Sequence, residues 1–109
     1  MSKKTLLTGL LALLCTTAFA ATPLRFRADG TFKIVQFTDV HFIHGDARSD
    51  SALARIREVM AAERPDLVML TGDVIYGKPA EQSYRTVLDL VSSYDVPFGV
   101  TFGNHDDEQ

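Results

Sequence analysis

Residues 65–77 read PDLVMLTGDVIYG, and the fold turns on how they are parsed. Pro65 carries no main-chain donor and its ring clashes with a preceding helical turn, so any helix before it must stop. The run Asp66–Thr71 that follows is apolar and of strand length, the pattern of a strand buried on both faces. Gly72 then lets the backbone turn sharply and approach a ligand closely, and Asp73 places a carboxylate at the end of the strand. Working outward, residues 51–63 put Leu53, Ile56, Val59 and Met60 on one helical face, with Asp50 or Ser49 able to cap the start. Earlier still, LRFRADGTFKIVQF (24–37) reads as a hairpin turning on Asp29-Gly30, its second arm being Phe32–Thr38. On the other side, Tyr84, Val87, Leu88 and Val91 mark a helix over Ala80–Tyr94. Pro97 ends it, and FGVTF (98–102) is the next strand. The order ββαβαβ predicts an α/β fold with a parallel sheet and crossover helices.

Each strand is followed by chemistry. Asp39-Val40-His41 follows the first core strand, Gly72-Asp73 the second, and Gly103-Asn104-His105-Asp106 the third. Successive clusters lie about one βαβ unit apart, so a parallel sheet brings all three to one edge, where open α/β sheets bind ligands. The carboxylates, amide and imidazoles gathered there are donors suited to Mn, Fe or Zn. Crowded carboxylates call for a cation. Two metals sharing one carboxylate would relieve the repulsion and clamp a phosphate. Taken singly, each residue has a plainer reading as a turn residue, helix cap or polar surface group. Three ordered clusters at one edge favour the metal site.

Composition sets the outer limits. The chain has 109 residues and one cysteine. Lys3 and Lys4, the apolar stretch Leu6–Leu14 and Ala18-Phe19-Ala20 read as a secretory signal over residues 1–20, too short to span a bilayer. Cleavage there would remove Cys15 and both lysines, leaving nine basic against fourteen acidic residues, a formal charge of −5. Such a product has no disulfide and no cysteine for a thiolate zinc site. Its acidic balance argues against nucleic acid and anionic membrane as general partners. The expected location is secreted or periplasmic.

Asp39-x-His41, Gly72-Asp73 and Gly103-Asn104-His105-Asp106, in that order, resemble the first three blocks of the calcineurin-like metallophosphoesterase superfamily. The context IVQFTDVHF, PDLVMLTGDVIYG and FGNHDDE is most similar to its purple-acid-phosphatase-related branch. The resemblance implies a four-layer α/β/β/α sandwich, of which residues 21–109 would be the N-terminal half. It implies two metal ions and hydrolysis of a small phosphate ester by a hydroxide held between them. By position, Asp39 and His41 would ligate the first metal, Asp73 would bridge both, and Asn104 would ligate the second. His105 would contact the phosphate and protonate the leaving group, with Asp106 orienting its ring. Tyr76 occupies the place where true purple acid phosphatases carry an iron-binding tyrosine, but His41 is the preferred ligand and Tyr76 a pocket wall.

GDVIYGKP (72–79) lacks the Asp-Arg-Gly that marks the protein phosphatases of the superfamily. His44 and Asp46 are expected to be solvated loop residues, and Arg55, Arg57 and Arg64 surface. The family's later histidine blocks have no counterpart here, since His41, His44 and His105 are the only histidines. The expectation is therefore an N-terminal fragment that is inactive alone. A truncated, weakly metal-binding remnant and a binding module for a small anion are the other readings. The lack of a glycine-rich phosphate loop counts against the last.

Overall fold

A computed structural model describes residues 23–107. The signal-peptide reading of residues 1–20 lies outside them. Among the described residues, no helix is long and apolar enough to cross a membrane.

Three strands, β1 (Ile34–Phe37), β2 (Leu67–Thr71) and β3 (Phe98–Thr101), form one sheet in that order, all parallel. Two helices make the crossovers, α1 (Asp50–Glu63) and α2 (Ala80–Ser92). Val35 pairs with Val68 and Phe37 with Leu70, while Leu70 also pairs with Val100. This register puts Val35, Phe37, Val68, Leu70 and Val100 on one face. There Val68 and Leu70 join Leu53, Ile56 and Met60 of α1 and Val87 and Val91 of α2 in a single core. Adding strands in one direction with right-handed crossovers sends both helices to the same face.

The opposite face carries Ile34, Gln36, Leu67, Met69 and Thr71. Ile34 is 55% exposed, and Met69 lies across Gly99.

The first hairpin arm is a correction: the observed order is βαβαβ. The turn forms, with Gly30 N–H on Arg27 C=O (2.9 Å) and Arg27 N–H on Thr31 C=O (2.8 Å). It is a three-residue loop in which only Gly30 has positive φ, rather than a two-residue turn needing it at both positions. The Asp29 carboxylate accepts from Thr31 N–H (3.0 Å) and from the Thr31 hydroxyl (2.6 Å). The donor that should begin the ladder is thus taken locally, and no strand grows. Arg27 turns away instead, to Asp66 (2.9 Å) and the Arg64 carbonyl (2.7 Å).

Ser49 precedes α1 without capping it; its hydroxyl accepts from Ile43 N–H (3.1 Å). A short 3-10 turn, Ala47–Ser49, leads in, capped by Asp46. α1 ends with Arg64 in the left-handed region, just before Pro65.

Candidate metal centre

Past the last sheet pairs, the chains leaving β1 and β2 stay side by side. Asp39 N–H donates to Gly72 C=O (3.1 Å), His41 N–H to Asp73 C=O (3.0 Å) and Phe42 N–H to Val74 C=O (3.1 Å). This extension places His41 beside Asp73. The Asp39 carboxylate lies on the same side as the His41 ring. The His41 Nε2 lies 3.6 Å from Asp73 Oδ2 and 3.8 Å from Asp39 Oδ1. Asp39, His41 and Asp73 all have positive φ, near 50°. That conformation is sparsely populated outside glycine and tends to gather at functional sites.

The third strand closes the site. His105 N–H donates to Asp73 Oδ1 (3.0 Å). This bond is the main reason the Asp73 carboxyl sits below its usual range; burial opposes it, and the two imidazoles add to it. Gly103 lies directly on Asp73: a Cβ there would overlap the Asp73 carboxylate and come within 2.5 Å of its nitrogen. Gly72, at φ 90°, packs against Gly103 in turn. Only two glycines let the ends of β2 and β3 approach this closely.

Donor atoms of His41, Asp73 and His105 all lie within 4.8 Å of one another. Four-coordinate bonds of about 2.0–2.1 Å set neighbouring donors about 3.4 Å apart, so a small contraction would close them on one ion. Imidazole nitrogen with carboxylate oxygen is a donor set for a first-row transition metal. Tyr76 forms a wall, its ring centroid 4.7 Å from His105 and 5.7 Å from His41.

The sequence reading named Asp39, His41, Asp73 and Asn104 as ligands and His105 and Asp106 as catalytic. The structure brings all six to one edge but groups them differently. His41, Asp73 and His105 converge. Asp39 stands alongside, its Oδ2 accepting from the Thr38 hydroxyl (2.8 Å), and Asn104 is exposed on the adjoining turn. Asp106 is buried, with both oxygens bonded to main-chain N–H groups. Tyr84 had been read only as part of an apolar helix face. Its hydroxyl is buried near Asp106 without reaching hydrogen-bond geometry among the described residues. No sequence signal separates it from an ordinary core tyrosine.

Loop residues outside the cluster serve the scaffold. His44 N–H donates to Ser83 Oγ (3.0 Å), and Asp46 pairs with Arg48 (2.7 Å). Arg55, Arg57 and Arg64 are exposed, as expected.

Comparison with known proteins gives the family. "Probable inactive purple acid phosphatase 28" of Arabidopsis thaliana is 37% identical over 103 residues, covering 79% of this chain and 26% of that protein. "Phosphatase DCR2" of Saccharomyces cerevisiae is 32% identical over 97 residues, covering 73% of this chain and 17% of its own. "Uncharacterized metallophosphoesterase YkuE" of Bacillus subtilis is 35% identical over 77 residues, covering 69% and 26%. The chain thus spans about a quarter or less of the length of these relatives. No solved structure gives a significant match. The calcineurin-like phosphoesterase family model matches residues 32–109, most of the chain and the whole of the strand-end cluster, and the chain belongs to that family.

Proposed function

We propose that this chain forms the N-terminal part of the active site of an exported, metal-dependent phosphoesterase acting on small phosphate esters. The observation that carries the reading is the convergence of His41, Asp73 and His105, with Asp39 3.8 Å from His41. His41, Asp73 and Asp39 would hold one ion, and Asp73 with Asn104 a second, drawn from Mn, Fe or Zn. When bound, such ions supply an activated water and neutralise charge on the phosphoryl oxygens. Asp73 is suited to its share, because the His105 N–H bond holds one oxygen and leaves the other 3.6 Å from His41 Nε2. His105 would meet the phosphate and give a proton to the leaving oxygen. Tyr76 packs its ring against both imidazoles.

The test is hydrolysis of p-nitrophenyl phosphate by the natural protein, stripped with a chelator and reloaded with Mn²⁺, Zn²⁺ or iron. Turnover that vanishes on stripping and returns on reloading supports the proposal; turnover indifferent to metal ends it. A second reading is a non-catalytic relative that binds metal weakly. It is favoured by the words "probable inactive" in the names of three Arabidopsis relatives. Metal uptake without turnover would select it.

A further inference from the structure

We infer that Asp106 is a positioning residue that acts through the main chain, pinning the loop that carries Asn104 and His105 to the segment just past Asp73. Asp106 is 5% exposed. Its Oδ1 accepts the Ile75 N–H (3.1 Å) and its Oδ2 the Gly103 N–H (2.7 Å). Ile75 lies two residues beyond Asp73, and Gly103 two residues before His105. Asp73 makes the reverse connection, from its own Oδ1 to the His105 N–H (3.0 Å). Two carboxylates therefore brace the same two segments in opposite directions, and neither brace uses a metal.

Tyr84 of α2 closes the outer side. Its ring packs edge-on to Phe102, centroids 5.8 Å apart. Burial raises its phenol pKa, and the Asp106 carboxylate adds to the rise. A charged acceptor screened from water holds N–H donors more strongly than one in solvent. With both oxygens accepting from the backbone, Asp106 sets where the His105 ring sits by fixing Gly103. Support of this kind is what keeps a functional group within a fraction of an ångström of its working place.

The catalytic half of the test rests on the phosphoesterase reading; the other half does not. In the natural protein, Asp106→Asn keeps one acceptor oxygen but turns an amide donor towards the second N–H. Amide exchange at Ile75 and Gly103 should then quicken by about tenfold or more, while core amides such as Ile56 and Val87 are unchanged. Turnover should divide by leaving group. A misplaced proton donor harms a poor leaving group more, so an alkyl phosphate should lose about tenfold more rate than p-nitrophenyl phosphate. Asp106→Ala should do both more severely; if it fails to fold, the Asn variant decides. Unchanged exchange at both amides overturns the brace. Equal losses on the two substrates, in step with the folded fraction, overturn the positioning role. Absence of metal-stimulated turnover in the parent protein would remove the phosphoesterase reading and leave the exchange result to judge the brace alone.

Discussion

At Asp39, His41 and Asp73 the backbone holds a left-handed conformation that costs each of them of order 1 kcal/mol, and the neighbouring hydrogen bonds must hold them there. The site is therefore sensitive to backbone geometry, and Gly103 is its tightest point. Gly103→Ala should push Asp73 aside, destabilise the fold by about 1–3 kcal/mol and strip metal from the protein. Melting curves and metal analysis would check both, and a variant that binds metal normally would contradict the packing argument. His105→Ala asks a different question. If His105 serves the leaving group, turnover should fall by about a hundredfold or more while most metal stays bound. If it is a ligand, as its place in the converging trio also allows, metal content falls with activity. Tyr76 can be judged by colour: an iron-loaded protein should show no visible charge-transfer band if Tyr76 only walls the pocket, and a band would make it a ligand.

Most elements were legible in the residues. Pro65 and Pro97 mark where helices yield to strands, and apolar spacing marks the faces of α1 and α2 within two residues at each end. Strand-end clusters gave the site because a parallel sheet leaves them nowhere else to go. Two things were not legible. One is which hydrogen bonds win locally: the Asp29 side chain outcompetes a β ladder, which no alternation pattern discloses. The other is reach. Sequence shows that Asp106 follows His105, but not that its oxygens face Ile75 and Gly103. At the far end of the sheet, Asp66 plays a similar clamping part. Its carboxylate accepts from Lys33 N–H (2.7 Å) and from Arg27 (2.9 Å), joining the N-terminal turn to the start of β1. The Lys33 N–H bond is the main cause of its lowered pKa. A carboxylate lowered on folding adds stability that is present above its unfolded value near 3.8 and lost as pH falls through the folded value. Asp66→Ala should therefore be less stable than the parent at pH 7, and the gap should close as the pH falls below 3.8 and through the lower folded value. Thermal melts followed by circular dichroism across that range would show it; a gap constant with pH would assign the loss to packing instead.

Among the described residues, the decisive fact is that the core lies on one side of the sheet. Val68, Leu70, Val87 and Val91 are wholly buried between sheet and helices, whereas Ile34 on the reverse face is half in water and no helix among the described residues covers it. Parallel sheets are as a rule covered on both faces. The family resemblance assigns that cover to a second sheet, and the match to this chain covers only about a quarter or less of each curated relative. A polypeptide of residues 21–109 made alone would leave that face in water, so it should bind a hydrophobic dye and melt without a sharp transition. Ile34→Lys separates a bare face from a covered one. On a bare face the lysine reaches solvent, so in the isolated polypeptide the change should be neutral within about 0.5 kcal/mol and should reduce dye binding. Beneath a second layer it buries an unpaired charge, and the natural protein should lose about 3 kcal/mol or more or fail to fold. Equal tolerance in both contexts would mean that the face stays open, and that the site at its edge is completed by something other than a sheet packed against β1–β3.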